Sequence, residues 1–470
     1  MSNSGRPHVA LLPSAGMGHL TPFCRLAALL SSRGGGDLDV SFITAEPTVS
    51  LKEYLQIRDL LSSFPSIKSH RFKVPELSPS QFPSSPDPFF QQWESIRRCA
   101  HLLPPLLASA TALIIDTASA SAVLPVAKQL NIPAYILFTS SASMLSLVAH
   151  FPSHVISSTS PSAPLMSNIL IPGLKHPVPA AWVPPPLHVP GHIFSTLTVD
   201  NGRCLPEADG VIINTFDALE PEVLAALNGG RVAHGLPRVF AVGPLVAPPP
   251  PQQMEETGGG DYPIAWLDRQ RDKSVVYVSF GSRTAMSPEQ IRELAAGLER
   301  SGCSFLWVIK TKKVDRDEEE TDLGALLGEG YVERVKGRGL VVNGWVEQEE
   351  ILRHRAVGGF VSHCGWNSVT EAAVAGVRVL CWPRMGDQRL NAEVVRRSGV
   401  GVWMEEWSWE AEGGVVGGEE IGRRVKEMME DEGLRDSAER VAEEARVALG
   451  VGGTSSKEME EFISRIMMGS

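Results

Sequence analysis

The sequence lacks several features that would define its class at once. No run of about eighteen uninterrupted apolar residues occurs, so a membrane-spanning helix is not expected. The first residues, MSNSGRPHVALLPS, contain neither a long apolar core nor a cleavage signal, and a secretory peptide is not expected either. The six cysteines have neither metal-site nor disulfide spacing. We therefore expect a cytoplasmic protein with free thiols and no metal site.

An excess of basic charge is also missing. The chain has 43 Lys and Arg against 54 Asp and Glu, a formal net charge of −11. Residues 1–245 contain fifteen acidic and fifteen basic side chains, so the whole acidic excess follows residue 245. This balance argues against nucleic acid or an anionic membrane as a partner. Any phosphate bound here must be held by backbone amides, a helix dipole and single side chains.

Short apolar strands alternate with helical patterns along both halves of the chain. This rhythm predicts an α/β protein with two Rossmann-like, doubly wound domains that face a cleft. The segment APPPPQQMEETGGGD is rich in proline and glycine and separates the two halves. We predict an N-terminal domain over 1–245, a linker over 246–262 and a C-terminal domain over 263–449. Residues 450–470 are predicted to form a helix that packs back on the N-terminal domain.

Two stretches of the N-terminal half are predicted to have little regular structure. Residues 62–92 are rich in serine and proline, and residues 150–206 contain IPGLKHPVPAAWVPPPL. A long irregular connection inside a compact domain is usually functional. The second stretch is therefore expected to form a wall or lid of a binding pocket.

A strand, a glycine turn and a helix are predicted in succession between residues 357 and 375. The turn contains three residues able to approach a ligand: His363, Gly365 and Asn367. The helix is predicted from Ser368, as its cap, to Ala375. Amides and dipole at a helix N-terminus bind phosphate, while His363 can add a donor and Ser368 a hydroxyl. Glu371 lies one turn into the helix, where it can accept hydrogen bonds from a ribose diol.

A second glycine turn follows the first predicted strand, HVALLP. Gly16 and Gly18 permit a tight turn and the close approach of a ligand, and Gly18 is predicted to contact the donor. Pro22 suits the first turn of a helix that runs to about Ser32. His19 is expected at the carboxyl edge of the sheet, as a structural or a catalytic histidine. The turn is not a GxGxxG fingerprint, so it gives little support to a nicotinamide cofactor.

Asp116 ends the strand ALIID and is expected at the same edge as His19. It could cap the helix predicted over 118–129, pair with His19, or do both.

The stretch from Trp345 to Gln388 resembles, over its whole length, the donor-binding signature box of plant family-one UDP-sugar glycosyltransferases. The resemblance implies the GT-B architecture, with UDP-sugar on the C-terminal domain and the acceptor on the N-terminal domain. It assigns Trp345 to the uracil ring and Gln348 to the nucleoside. The diphosphate positions are His363, Asn367 and Ser368; Glu371 falls on the ribose position; and Trp366, Asp387 and Gln388 fall on sugar-contacting positions. Gly386 departs from the pattern, because many members carry a larger residue there.

The resemblance extends to three positions outside the box. It implies that His19 is the catalytic base and that Asp116 hydrogen-bonds it. Ser282, at the end of the segment SVVYVSFGS (274–282), matches a serine that meets a phosphate. The neighbouring Arg283 is a second phosphate contact or a solvent-facing turn residue. No metal and no cofactor other than the UDP-sugar substrate are implied.

Four segments look like the flavonoid C-glycosyltransferase branch of this family: SFGSRTAMSPEQIREL, WVEQEEIL, GMGHLTPF and IPGLKHPVPAAWVPPPL. The branch implies that the bond forms to a ring carbon of a polyhydroxylated phenol. We expect an inverting, monomeric enzyme, with UDP-glucose as its donor because Asp387 and Gln388 end the box. A 2-hydroxyflavanone or a dihydrochalcone would be such an acceptor. O-glucosylation of a phenol is the main alternative. A nucleotide-sugar epimerase or hydrolase, or a non-catalytic sensor, would share the fold.

Overall fold

The computed structural model describes residues 6–33, 36–77, 87–157, 167–246, 261–281, 286–310, 323–407, 409 and 414–468. The chain divides into two compact units, Met1–Gln252 with Ala448–Ser470, and Gln253–Val447. Most of the predicted linker, and both Ser282 and Arg283, lie outside the described residues.

A parallel sheet, seven-stranded within the described residues, forms the centre of the first unit. Its strands are β1 His8–Leu12, β2 Asp39–Glu46, β3 Lys68–Lys73, β4 Ala112–Asp116, β5 Ala134–Phe138, β6 Gly210–Ile213 and β7 Val239–Ala241. They are ordered β3-β2-β1-β4-β5-β6-β7. The strand order reverses between β1 and β4, the place where doubly wound sheets bind ligands at their carboxyl edge.

Helices pack on this sheet and complete the core of the first unit. They are α1 Met17–Arg33, α2 Leu51–Ser63, α3 Pro88–Cys99, α4 Ala120–Gln129, α5 Ala142–Ser157, α6 Ile193–Cys204, α7 Pro221–Asn228 and, from the chain end, α17 Thr454–Met468. Phe462 of α17 is fully buried and packs edge-on against Tyr135, with ring centroids 5.1 Å apart. Arg238 adds an ion pair to Glu458. The last helix is therefore part of this core.

The second unit repeats the plan with a parallel sheet of six described strands. They are β8 Val275–Ser279, β9 Ser304–Ile309, β10 Gly339–Asn343, β11 Val357–Ser362, β12 Arg378–Cys381 and β13 Gly401–Trp403, in the order β10-β9-β8-β11-β12-β13. The strand order reverses between β8 and β11. The helices are α8 Asp261–Leu267, α9 Pro288–Ser301, α10 Leu323–Leu327, α11 Tyr331–Val335, α12 Gln348–Arg353, α13 Trp366–Ala375, α14 Gln388–Ser398, α15 Gly418–Glu430 and α16 Glu432–Leu449.

The fold class is the expected one, but the two stretches predicted to be irregular are partly regular. β3 and the N-terminal part of α3 lie within 62–92, and α6 lies within 150–206. The sequence KSHRFK of β3 is strongly polar because this strand lies at the sheet edge, with mostly exposed side chains. Among the described helices none combines the length and the apolarity needed to cross a membrane.

Candidate functional site

His19 and Asp116 follow the two strands at the point where the order of the first sheet reverses. β1 and β4 are paired, with Leu12 opposite Ile115, so both following loops start at one edge. His19 Nδ1 lies 2.8 Å from Asp116 Oδ2. The hydrogen bond implied by the resemblance is therefore present.

The carboxylate of Asp116 has two roles, one for each oxygen. Oδ2 pairs with His19, and Oδ1 accepts a hydrogen bond from Ala118 N at 2.8 Å, which caps the 3-10 helix Thr117–Ser119. The Asp116 side chain is about 1% exposed, whereas that of His19 is 30% exposed. Because Nδ1–H donates to the carboxylate, Nε2 is the basic nitrogen of His19.

The start of α1 differs from the prediction. The helix begins at Met17, five residues before Pro22, so Gly18 and His19 lie in its first turn. Gly16 causes this early start, because its φ of +107° turns the chain and its carbonyl accepts hydrogen bonds from His19 N and Leu20 N. The buried carboxylate of Glu53 accepts a hydrogen bond from Gly16 N at 2.7 Å and fixes the turn from the other side.

An aromatic cluster reaches His19 through Trp93, which the sequence did not reveal. Trp93 packs edge-on against the imidazole, with ring centroids 5.2 Å apart. The ring centroid of Phe90 lies 5.3 Å from that of Trp93, 5.9 Å from that of Phe194 and 6.2 Å from that of His192. α3 and the first turn of α6 supply these rings. The only sequence signal was aromatic residues within, or directly after, stretches that we expected to be irregular.

The carboxyl ends of β8 and β11 meet in the second sheet, where Ser279 pairs with Ser362. The helix after β11 begins at Trp366, with Gly365 as its cap, so the prediction that Ser368 caps it is wrong. Ser368 is the third helical residue. The chain turns earlier because Cys364 has a φ of +64° and Gly365 follows directly. A Cβ on Gly365 would lie 2.6 Å from His363 Nε2, so the glycine is needed there.

His363 is a neutral side chain at this helix N-terminus. Burial lowers the pKa of His363 from 6.5 to about 4. Its Nδ1 is buried and, over the described parts of the chain, has no hydrogen-bond partner. A neutral imidazole carries one N–H donor and adds no charge.

Gln348, Ser368 and Glu371 form one hydrogen-bonded group. Gln348 Nε2 donates to Ser368 Oγ at 2.9 Å and to Glu371 Oε2 at 2.8 Å. The Ser368 hydroxyl accepts from Gln348, so its own hydrogen remains available for donation. Three residues assigned to the donor by resemblance are thus in contact although twenty-three positions separate the first from the last.

The two tryptophans assigned to the donor have opposite environments. Trp345 is 51% exposed and donates from Nε1 to Glu347 Oε1 at 2.8 Å. Such an exposed indole can stack on a ligand ring. Trp366 is 3% exposed, so its indole belongs to the core, and its assignment to the sugar stays a prediction.

Asp387 and Gln388 begin α14 and are both tied to their neighbours. Gln388 Oε1 accepts hydrogen bonds from Arg384 N at 2.8 Å and Met385 N at 3.0 Å. Asp387 Oδ2 accepts one from Asn391 Nδ2 at 2.9 Å. The Gln388 oxygen is thereby occupied, and its NH₂ is the group that can face a ligand.

No set of three or more His, Cys, Asp or Glu side chains in the described ranges could hold a metal ion. The absence of a metal requirement stays a prediction, as do the binding roles of Gly18 and Ser282. A Cβ on Gly18 would meet open space, so the structure does not itself require glycine there.

Comparison with known proteins points to one family. The family model described as UDP-glucoronosyl and UDP-glucosyl transferase matches residues 264–432. The rice protein UDP-glycosyltransferase CGT (Oryza sativa subsp. japonica) is 52% identical over 459 residues, which cover 97% of this chain and 95% of the rice protein. UDP-glycosyltransferase 708A6 of Zea mays is 49% identical, over 98% of this chain and 97% of its own. The crystal structure of LpCGTa in complex with UDP matches with a TM-score of 0.84 at 47% identity, over 98% of this chain and 99% of that one.

Proposed function

This chain belongs to the plant UDP-glycosyltransferase family, and from that premise we propose that it is an inverting, UDP-glucose-dependent C-glucosyltransferase of polyhydroxylated phenols. The acceptor class is a flavonoid-type acyl-phloroglucinol, such as a 2-hydroxyflavanone or a dihydrochalcone. The observation that carries the proposal is the hydrogen bond between His19 and the buried Asp116.

That pair has the geometry of a general base with its supporting carboxylate. His19 Nε2 takes a proton from an acceptor hydroxyl, and Asp116 stabilises the imidazolium that forms. The phenolate shares its negative charge with the ring carbons ortho and para to it. One of these carbons attacks the anomeric carbon from the face opposite the diphosphate. The bond from the anomeric carbon to the diphosphate oxygen breaks as the new bond forms, and UDP leaves with the electron pair. The attacked ring carbon then loses its proton to solvent, which restores the aromatic phenolate, and the protonated His19 returns its proton to the phenolate oxygen.

The second unit supplies groups for the leaving UDP. The amides and dipole at the start of α13 favour the diphosphate, and His363 adds a neutral donor. Trp345 stacks on uracil, and Glu371, held by Gln348, accepts hydrogen bonds from the ribose. This arrangement stabilises negative charge on the leaving group without a metal ion. Asp387 and Gln388 contact the sugar, and we assign glucose as the preferred sugar.

The aromatic cluster of Phe90, Trp93 and Phe194 supports a planar phenolic acceptor, because rings bury well against rings and Trp93 lies beside His19. Carbon linkage rests on the resemblance to the C-glycosyltransferase branch, with which the rice CGT and LpCGTa agree by name. A polyhydroxylated ring directs attack to carbon only if the pocket holds that carbon over the anomeric centre.

The test is incubation with UDP-glucose and a panel of phenols, followed by hot acid. C-glucosides survive acid, whereas O-glucosides release glucose. Acid-stable products support the proposal, and acid-labile products alone replace it with O-glucosylation. UDP or an altered nucleotide sugar formed at the same rate without any phenol would instead indicate a hydrolase or an epimerase.

A further inference from the structure

Asn391 connects the turn proposed for the diphosphate with the carboxylate proposed for the sugar. It lies in α14 and is fully buried. Its Nδ2 donates to Cys364 O at 3.1 Å and to Asp387 Oδ2 at 2.9 Å. Both neighbours are acceptors, so the amide nitrogen must face them.

The other end of the same amide has no compensating contact. Asn391 Oδ1 is buried and makes no hydrogen bond to any residue that the structure describes. A buried carbonyl without a partner lowers stability. An apolar side chain of the same shape would avoid that loss, so the asparagine is explained by what its nitrogen holds.

The first acceptor belongs to a strained residue. Cys364 is a buried non-glycine residue with a φ of +64°, a conformation that L-residues rarely adopt. Its amide donates to Ser362 Oγ at 3.1 Å, and its carbonyl accepts from Asn391. The turn between β11 and α13 is thus fixed from both sides, which strained backbone requires.

The second acceptor is the carboxylate proposed to contact the sugar. The hydrogen bond from Asn391 sets the direction of Oδ2 of Asp387, and Asn391 N also donates to Asp387 O at 3.0 Å. One side chain therefore sets the position of Asp387 relative to the turn at Cys364. Neither the turn at Cys364 nor Asp387 can move without breaking a hydrogen bond to Asn391 Nδ2.

We propose that Asn391 is a positioning residue for donor-sugar recognition, which sets the register between the diphosphate turn and Asp387. The inference rests on the proposed function, since it presupposes a UDP-sugar in this unit. Trp345 and Glu371, assigned to the nucleoside, lie outside α14, and they hydrogen-bond to Glu347 and Gln348 respectively. Loss of the Asn391 bonds should therefore affect the sugar more than the nucleotide.

The experiment compares UDP with UDP-glucose in the full chain. Asn391→Leu keeps the approximate size but removes both hydrogen bonds. We expect its affinity for UDP, measured by calorimetry, to fall by less than about tenfold. Transfer of glucose, measured as kcat/KM for UDP-glucose, should fall by about a hundredfold, the effect of a lost charge-assisted hydrogen bond at the reacting sugar.

Two further variants separate positioning from stability. Asp387→Asn keeps a side-chain oxygen that can accept the hydrogen bond from Asn391 but removes the negative charge that is proposed to contact the sugar. It should keep most of the thermal stability that Asn391→Leu loses and should lose transfer by a similar factor. Asn228→Asp is the control, because Asn228 makes two backbone hydrogen bonds to Val239 in the other unit. It should lower the thermal stability and leave both the UDP affinity and kcat/KM for UDP-glucose in their original ratio.

The inference would be overturned if Asn391→Leu lost UDP affinity and kcat/KM for UDP-glucose by the same factor, or if its transfer stayed within threefold of the unsubstituted protein. Asn391 would then be a structural residue. If Asn391→Leu does not fold, Asp387→Asn decides, since transfer within threefold of the unsubstituted protein would also overturn the inference. A parent protein that transfers no glucose to any phenol would instead contradict the proposed function, whatever the variants do.

Discussion

Gly281 and His363 lie so close together that a Cβ on the glycine would come within 2.5 Å of His363 Nε2. Gly281 follows β8 and His363 follows β11, the strands between which the order of the second sheet reverses. The imidazole therefore packs directly on the backbone of the loop after β8. A residue with any side chain at position 281 would displace this ring.

Gly281→Ala should disable the donor site more than it destabilises the fold. The φ of Gly281 is +79°, so alanine there costs about 1–2 kcal/mol in backbone strain and also displaces His363. Gly302→Ala is the matched control, because Gly302 has a φ of +73° but a Cβ there would meet nothing within 4 Å. Gly281→Ala should lose at least as much thermal stability as Gly302→Ala, and only Gly281→Ala should lose UDP affinity. Equal UDP affinity in the two variants would show that the position of His363 is unimportant for binding.

The lowered pKa of His363 predicts a stability change on acidification. The folded protein binds the proton with a pKa of about 4 and the unfolded chain with one of 6.5. Between these values the unfolded state binds more protons, so stability falls as pH falls, by about 1.4 kcal/mol per pH unit. Chemical unfolding from pH 7.5 to 4.5 should show a shallower slope in His363→Gln. Burial also lowers the pKa of His8, His150 and His154, but these are present in both proteins. Parallel slopes would contradict the lowered pKa.

The alternation of apolar strands and helical patterns was sufficient to predict the fold class, because buried parallel strands such as VVYVS and ALIID are nearly continuous apolar runs. The helix starts were not predictable in the same way. α1 and α13 both begin earlier than expected because a residue with positive φ, Gly16 or Cys364, ends the preceding turn. In Cys364 that conformation is imposed by tertiary contacts, which no local pattern encodes.

The site residues also divide into those that the local sequence identifies and those that only the fold brings together. Residues of the box are contiguous in sequence and could be identified by resemblance, and the hydrogen bond between His19 and Asp116 was found as expected. Asn391 lies outside the box, and its importance depends on two acceptors brought together by the fold. Glu53 of α2 likewise contacts Gly16, and Trp93 of α3 contacts His19, although neither helix carries a recognisable motif.

His19→Ala should lower turnover by about 10²–10⁴, the usual contribution of a general base. Asp116→Asn should lower it by about ten- to a hundredfold, because a charge-assisted hydrogen bond to the imidazolium is replaced by a neutral one. Neither change should alter UDP affinity, since the groups assigned to UDP belong to the other unit. Steady-state kinetics at saturating donor measures the turnover, and calorimetry measures the UDP affinity. Turnover of His19→Ala within a few-fold of the parent would exclude it as the base.

Glu371→Ala should weaken UDP binding by about tenfold or more, since a charge-assisted bond to ribose is lost. The decisive comparison uses 2′,3′-dideoxy-UDP, which lacks the hydroxyls that Glu371 is proposed to bind. The substitution should then have little further effect on affinity. Gln348→Ala should reproduce part of the loss, because Gln348 Nε2 orients the carboxylate. If the penalty is the same for both nucleotides, Glu371 does not act through the ribose.

The bond that the enzyme forms can be tested by varying the acceptor alone. A graded series of acyl-phenols with one, two and three meta-related ring hydroxyls changes the electron density at one ring carbon, since each hydroxyl adds density there. His19 needs to ionise only one of these hydroxyls, so its role is constant across the series. If carbon is the nucleophile, the rate of acid-stable product should rise with each hydroxyl, and a monophenol should yield at most an O-glucoside. Chromatography before and after acid treatment measures both products. Equal rates across the series, or acid-labile products throughout, would leave an O-glucosyltransferase, with His19 and Asp116 acting on the same hydroxyl that then attacks the sugar.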